Sequence, residues 1–129
     1  MVIDTSALIA ILLNEPETEA FAAAISAAPS RMISAVSALE TAIVIDAKKG
    51  AMGGQLFDEL LVAAQVNIVA FDQTQFNLAR EAYARFGKGR HPAALNFGGC
   101  CAYALARNTG EALLLKGQDF SATDISVVV

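Results

Sequence analysis

A chain of 129 residues with a net charge of −4 is expected to form a single domain spanning residues 1–129. That length buries roughly two-thirds of the unfolded surface, so folding needs no disulfide or structural metal. The acidic balance argues against indiscriminate nucleic-acid binding. A 55 % hydrophobic content predicts apolar surface left over for a partner, including a homodimer face.

The elements follow in order. Val2–Asp4 reads as a strand and Thr5–Leu13 as a helix. Asn14-Glu15-Pro16-Glu17 breaks and restarts the helix, since proline suits a first turn and Glu17 and Glu19 suit its dipole. The second helix occupies Ala20–Ala28. Arg31–Ile33 is a short strand. Ser34 or Ser37 caps a helix through Lys49, with Gly50 as its C-terminal stop. A helix over Gln55–Ala64 precedes an apolar strand, Val66–Ala70. A helix over Thr74–Phe86 stops at Gly87, and a loop runs to Pro92. Phe97–Arg107 is helical and ends near Gly110. Ala112–Leu115 and Ser126–Val129 close the chain as strands.

Short, continuously apolar strands alternating with helices indicate a parallel sheet covered on both faces. The fold class is therefore α/β, a three-layer α/β/α sandwich around a short, mainly parallel sheet. Apolar stretches such as Ala7–Leu13 fall short of the roughly 18 residues of a membrane span. No basic segment precedes an apolar one at the start, so a cytoplasmic protein is expected. Cys100 and Cys101 are neighbours on a helix, point in different directions, and read as two small buried hydrophobes. One histidine and no C-x-x-C leave no zinc signature.

Carboxylates stand at or after strand ends, where α/β folds place their sites. Asp4 follows the first strand; in Asp4-Thr5-Ser6 it is equally suited to cap the next helix. Glu40 either completes a capping box with Ser37 or, if the helix starts at Ser34, lies in its second turn among apolar neighbours. A buried carboxylate needs a partner, and no nearby cation is evident. Asp119 follows the strand ending at Leu115, with Asp124 five residues on as a second candidate or a turn residue. Together Asp4, Glu40 and Asp119 suggest one anionic pocket for a divalent cation, Mg²⁺ or Mn²⁺. Thr5 or Ser6 is positioned to hydrogen-bond a water or a carboxylate.

Arg80, Arg85, Lys88 and Arg90 lie within eleven residues of sequence, with His91 next. They form either a local patch able to contact phosphates or a solvated helix end. Lys88 and Arg90 are the candidates for RNA contact. Gly98 and Gly99 open a good helix former, although each glycine costs roughly 1 kcal/mol there. A tight backbone approach explains Gly98; Gly99 has no local benefit.

At these residues the chain resembles the PIN-domain ribonucleases, specifically the VapC-type toxins of bacterial toxin–antitoxin pairs. The resemblance rests on Val2-Ile3-Asp4-Thr5-Ser6-Ala7-Leu8 and Ser34-Ala35-Val36-Ser37-Ala38-Leu39-Glu40. It continues through Gly89-Arg90-His91-Pro92-Ala93, Leu95-Asn96-Phe97-Gly98, Lys116-Gly117-Gln118-Asp119-Phe120 and Thr123-Asp124. It implies a PIN-like sandwich and a metal-dependent endoribonuclease acting on RNA, neutralised by a cognate VapB-type antitoxin. It places catalytic acids at Asp4, Glu40 and Asp119, with metal ligands at Asp4, Asp119 and the position held here by Gly99. The absent acid implies weakened or lost activity. Two rival readings remain: a catalytically dead PIN-fold binding protein that sequesters antitoxin or RNA, and a receiver-like phosphoacceptor using Asp4, Asp72 and Lys116.

Overall fold

The computed structural model of the chain describes residues 1–128. Its elements are β1 (Val2–Ile3), α1 (Thr5–Leu12), α2 (Thr18–Ala27), β2 (Met32–Ser34), α3 (Ala35–Ala63), β3 (Asn67–Val69), α4 (Gln73–Phe86), α5 (Phe97–Thr109) and β4 (Leu113–Leu114). The strands form one sheet in the order β3-β2-β1-β4, and every pairing is parallel. Val2 sits between Met32 on one side and Leu113 on the other.

Alternation along these short strands separates two cores. Val2 and Leu113 pack with α4 and α5, against Ala79, Phe86 and Leu105. Ile3, Ile33 and Leu114 pack on the opposite face with Leu8, Ile45 and Phe57 of α1 and α3. β1, β2 and β4 thus feed both faces, which is why they read as apolar. The result is the expected three-layer sandwich.

From β1 the chain winds outward through β2 to β3, and β4 then returns to the other side of β1. Parallel crossovers are right-handed, so the reversal moves the helices from one face to the other. It leaves a switch point where the carboxyl ends of β1 and β4 diverge, the place where open α/β sheets bind ligands.

Several elements differ from expectation. Ser34 caps α3, its Oγ accepting from the Val36 N–H at 3.3 Å, so the helix starts early and Glu40 falls in its second turn. As expected, helical geometry stops at Gly50, at φ +63° and ψ −151°, a region open essentially to glycine alone; what differs is that a second helical stretch follows at once across the kink, with no linker before Gln55. β3 is a half-exposed edge strand rather than a buried one, with Ile68 54 % exposed. The final strand shrinks to a parallel bridge between Val127 and Leu113, and Val129 lies outside the described residues. Cys100 and Cys101 are free and buried in α5, and burial pushes the Cys101 thiol up to about 11. Among the described residues no helix is long and apolar enough to cross a membrane.

One side chain closes two helix ends at once. Arg31 donates from Nε to the Ile25 carbonyl at 2.6 Å, from Nη1 to Ala64 at 3.1 Å, and from Nη2 to Ser26 at 3.0 Å and Ala28 at 3.2 Å. Helix ends leave carbonyls without intrahelical partners; of these four, Ile25 also accepts from the Ala28 N–H at 3.3 Å. Arg31→Met is expected to cost about 3 kcal/mol, since bonds from a charged donor are worth roughly 1.5–3 kcal/mol each and are not additive. Arg31→Lys should recover only a minor part, because an ammonium cannot fork. Urea denaturation of the three proteins checks both statements.

Candidate functional site

β1 ends directly at Asp4, whose extended backbone makes it the N-cap of α1. Its Oδ2 accepts from the Ser6 N–H at 3.0 Å and from the Ser6 hydroxyl at 2.6 Å. The capping role is therefore real, and it occupies one carboxylate oxygen while leaving Oδ1 without a hydrogen bond among the described residues. The Ser6 Oγ also accepts from the Lys116 N–H at 2.9 Å. That bond ties the β1–α1 junction to the chain leaving β4, across the switch point.

There Asp4, Glu40 and Asp119 line one cavity of about 240 Å³, together with Ser6, Asn96, Gly99 and Lys116. Asp4 comes from the end of β1, Glu40 from the second turn of α3 and Asp119 from the segment after β4. Desolvation raises the Asp4 pKa most; the two Ser6 bonds lower it, and the charges of Glu40 and Asp119 raise it further. Burial and repulsion together outweigh a good hydrogen-bonded cap.

No cation answers these charges. Lys116 lines the cavity, but its ammonium pairs with Glu15 at 2.9 Å and Glu17 at 3.3 Å. Among the described residues no lysine or arginine pairs with Asp4, Glu40 or Asp119. An all-oxygen donor set with uncompensated charge fits a hard divalent cation. Among the described residues, however, no three His, Cys, Asp or Glu side chains form a close metal-binding group. The fit is to a largely hydrated ion such as Mg²⁺, which commonly takes only one or two protein carboxylates and keeps its waters.

The two glycines at the start of α5 differ. A Cβ at Gly98 would lie 2.5 Å from Glu40 Oε1, whereas one at Gly99 would meet nothing nearer than Asn96 Oδ1 at 3.2 Å. Residue 99 therefore borders the cavity, where a side chain is admitted if the Asn96 cap yields by a few tenths of an ångström. Asn96 caps α5 by accepting from the Gly99 N–H at 2.8 Å.

Other candidates lie elsewhere or turn away. Thr5 lines the cavity, yet its hydroxyl donates to the Ser37 carbonyl at 3.0 Å, fastening α1 to α3 instead of holding a water or carboxylate. Asp124 does not line it: Oδ1 accepts from the Tyr103 hydroxyl at 2.8 Å, and Oδ2 faces Arg107 at 3.4 Å and Arg85 at 3.5 Å. It pins the C-terminal segment to α4 and α5, and burial with the Asp124 bond pushes the Tyr103 phenol up to about 12. Lys88 and Arg90 are exposed outside the cavity, with the Arg90 guanidinium over the Tyr83 ring at 5.1 Å. Asp72 caps α4 through Gln75 and does not line the cavity with Asp4 and Lys116, so it forms no acid pair there. Lys116, expected at the strand edge and in the receiver-like reading, and Asn96, expected only as part of the resemblance, both line the cavity.

The electrostatics make one prediction. Asp4 has a higher pKa folded than unfolded, so its contribution favours folding below the unfolded value of about 4 and is lost as pH rises through the folded one. At neutral pH the charged group opposes folding. Asn is an equally good N-cap, so Asp4→Asn should melt at a higher temperature than the parent at pH 7 in metal-free buffer. The gain should shrink as pH falls toward about 4. Calorimetry across that range checks it, and a lower melting temperature at pH 7 contradicts it.

Comparison with known proteins identifies the family and the fold. The chain matches the PIN domain family over residues 1–126. It is 51 % identical over 128 residues to a Mycobacterium tuberculosis protein named Ribonuclease VapC30, covering 99 % of this chain and 98 % of that one. It is also 51 % identical over 128 residues to Ribonuclease VapC of Mycolicibacterium smegmatis, covering 99 % of both. Its fold superimposes on the Mycobacterium tuberculosis toxin VapC20, described as cleaving the sarcin-ricin loop, with a TM-score of 0.79 at 18 % identity, over 98 % of this chain and 97 % of that one. A Klebsiella pneumoniae toxin-antitoxin complex gives a TM-score of 0.72 at 19 % identity, over 98 % of this chain and 95 % of that one. With a parallel sheet that reverses its winding and an acidic cavity at the reversal, the chain belongs to the VapC group of the PIN-domain family.

Proposed function

We propose that this chain is a divalent-metal-dependent endoribonuclease toxin, weakened by Gly99, that hydrolyses RNA phosphodiesters in the cytoplasm. One observation carries the reading: carboxylates from three separate segments line a cavity whose lysine is engaged elsewhere. Bound Mg²⁺ or Mn²⁺ supplies charge neutralisation at the phosphate and a more acidic attacking water. Asp4 is assigned as the principal ligand, held in place by Ser6. Glu40 and Asp119 orient the hydrated ion or the nucleophilic water. Thr5 serves the site indirectly, by fixing α1 against the helix that carries Glu40. Lys88 and Arg90, outside the cavity, are assigned to the RNA backbone, where contacts position a strand without reading its sequence.

A protein partner is assigned to the apolar groove of about 310 Å³ along α4 and α5, lined by Phe71, Phe76, Tyr83 and Phe97. Phe97 is 76 % exposed and Phe76 49 %, two large apolar side chains left to solvent beside the groove. An amphipathic segment of a VapB-type antitoxin or a second copy of this chain would bury it. The second reading, a dead PIN-fold binding protein, is favoured by the sparse set of acids around the cavity.

Gly99→Asp separates the two. Residue 99 stands at the third helical position of α5, where an acid is favoured by the helix dipole, and the carboxylate would enter the cavity. Losing even an outer partner of a metal site costs about 10–100-fold, so Gly99→Asp is expected to raise Mg²⁺- or Mn²⁺-dependent RNA cleavage by at least about tenfold. Equal activity in the two proteins contradicts the role given to Gly99, and no cleavage by either with any divalent metal favours the binding protein. Sedimentation at high micromolar concentration is expected to show a dimer; a monomer there contradicts the second copy.

A further inference from the structure

We infer that Gly98 is a positioning residue for Glu40: the missing side chain at 98 is the space in which the Glu40 carboxylate sits. The inference rests on the metal-site reading above, to which it adds a residue. An ideal Cβ at 98 would lie 2.5 Å from Glu40 Oε1 and 3.0 Å from both Cδ and Oε2. The three nearest atoms to that point all belong to Glu40, which comes from α3, so the contact joins two helices distant in sequence. Nothing in the α5 backbone asks for glycine there. Gly98 is not among the glycines of positive φ, and alanine is better by roughly 1 kcal/mol inside a helix. Glycine therefore stands against local propensity, and the carboxylate is the compensation visible in three dimensions. Gly98 is the second residue of α5, where N–H groups lack an intrahelical acceptor and the helix dipole is positive. A carboxylate set against this point is favoured, and it is kept out of the apolar core behind.

The contact fixes where a substitution acts. The atoms that would clash are the far end of a flexible side chain, so an alanine at 98 displaces the Glu40 carboxylate while α5 stays in place. Stability is spared and the cavity loses an acid from its position. Gly99, one residue on, has no such neighbour, so the same substitution there leaves Glu40 alone.

A double-mutant cycle with Gly98→Ala and Glu40→Ala tests the inference, read by melting temperature, by Mn²⁺ binding in calorimetry and by a crystal structure of the Gly98→Ala protein. Gly98→Ala is expected to melt no lower than the parent, to weaken Mn²⁺ about tenfold, and to add nothing in the Glu40→Ala background. Its structure should show the Glu40 carboxylate moved away from residue 98. Equal weakening in both backgrounds, or a Glu40 carboxylate unmoved while α5 shifts, overturns the inference. If neither the parent nor Gly99→Asp binds Mn²⁺, the metal reading fails by itself, and the crystal structure alone decides whether residue 98 places Glu40.

Discussion

Negative charge without a counter-charge is the constraint on which this molecule turns. Parallel winding outward from β1 and then back to β4 brings acids from three segments to one cavity. The lysine at the same place is diverted to Glu15 and Glu17. A cap of the kind Asp4 makes is worth about 1 kcal/mol, and its bond from the Ser6 hydroxyl is short. Even so, its pKa moves up rather than down, because burial and like charges prevail. The domain holds its acids in an arrangement that folding alone does not favour. Such opposition is expected where a site is built for a ligand of opposite charge.

The packing explains how the opposition is sustained. Two apolar cores, one on each face of the sheet, fix β1 and β4 side by side. Thr5 then fastens α1 to α3, and Ser6 fastens α1 to the segment after β4. Both side chains come from the turn that carries Asp4. The local sequence Asp4-Thr5-Ser6 does three jobs with three adjacent residues: cap, brace and latch. Rigidity comes from hydrogen bonds whose partners are 32 and 110 residues away.

Those distances also mark what sequence could and could not tell. The fold class and the parallel sheet were legible from short apolar strands alternating with helices; Asp4 and Asp119 were marked by the apolar strands before them, and Glu40 as an acid within an apolar helical segment. The starting point of α3 was open between Ser34 and Ser37, since both are good caps; the choice depends on where β2 ends. Gly50 gave a true signal that helical geometry breaks, but the second helical stretch begins straight after it rather than at Gln55 and finds a core at Phe57. Asp124 and Thr5 carried the right chemistry for a site, yet their partners are Tyr103 and Ser37, which no local pattern pairs with them. Lys88 and Arg90 stood out by clustering in sequence, but a cluster in sequence says nothing about distance from a cavity formed by other segments.

Gly98 and Gly99 show the same limit in its sharpest form. Both are penalised alike by helix propensity; sequence suggested only a tight approach at 98 and, through the resemblance, an absent acid at 99. In space they part. One is filled by a side chain from another helix; the other borders open volume beside the acids. An acid at 99 would deepen the repulsion that already lifts Asp4, and its gain from the α5 dipole, about 0.3–1 kcal/mol, offsets that only in part. Leaving 99 empty relaxes the cavity and thins the donor set in a single step. Charge relief and metal affinity therefore pull on this position in opposite directions, while the glycine beside it is held in place by sterics alone.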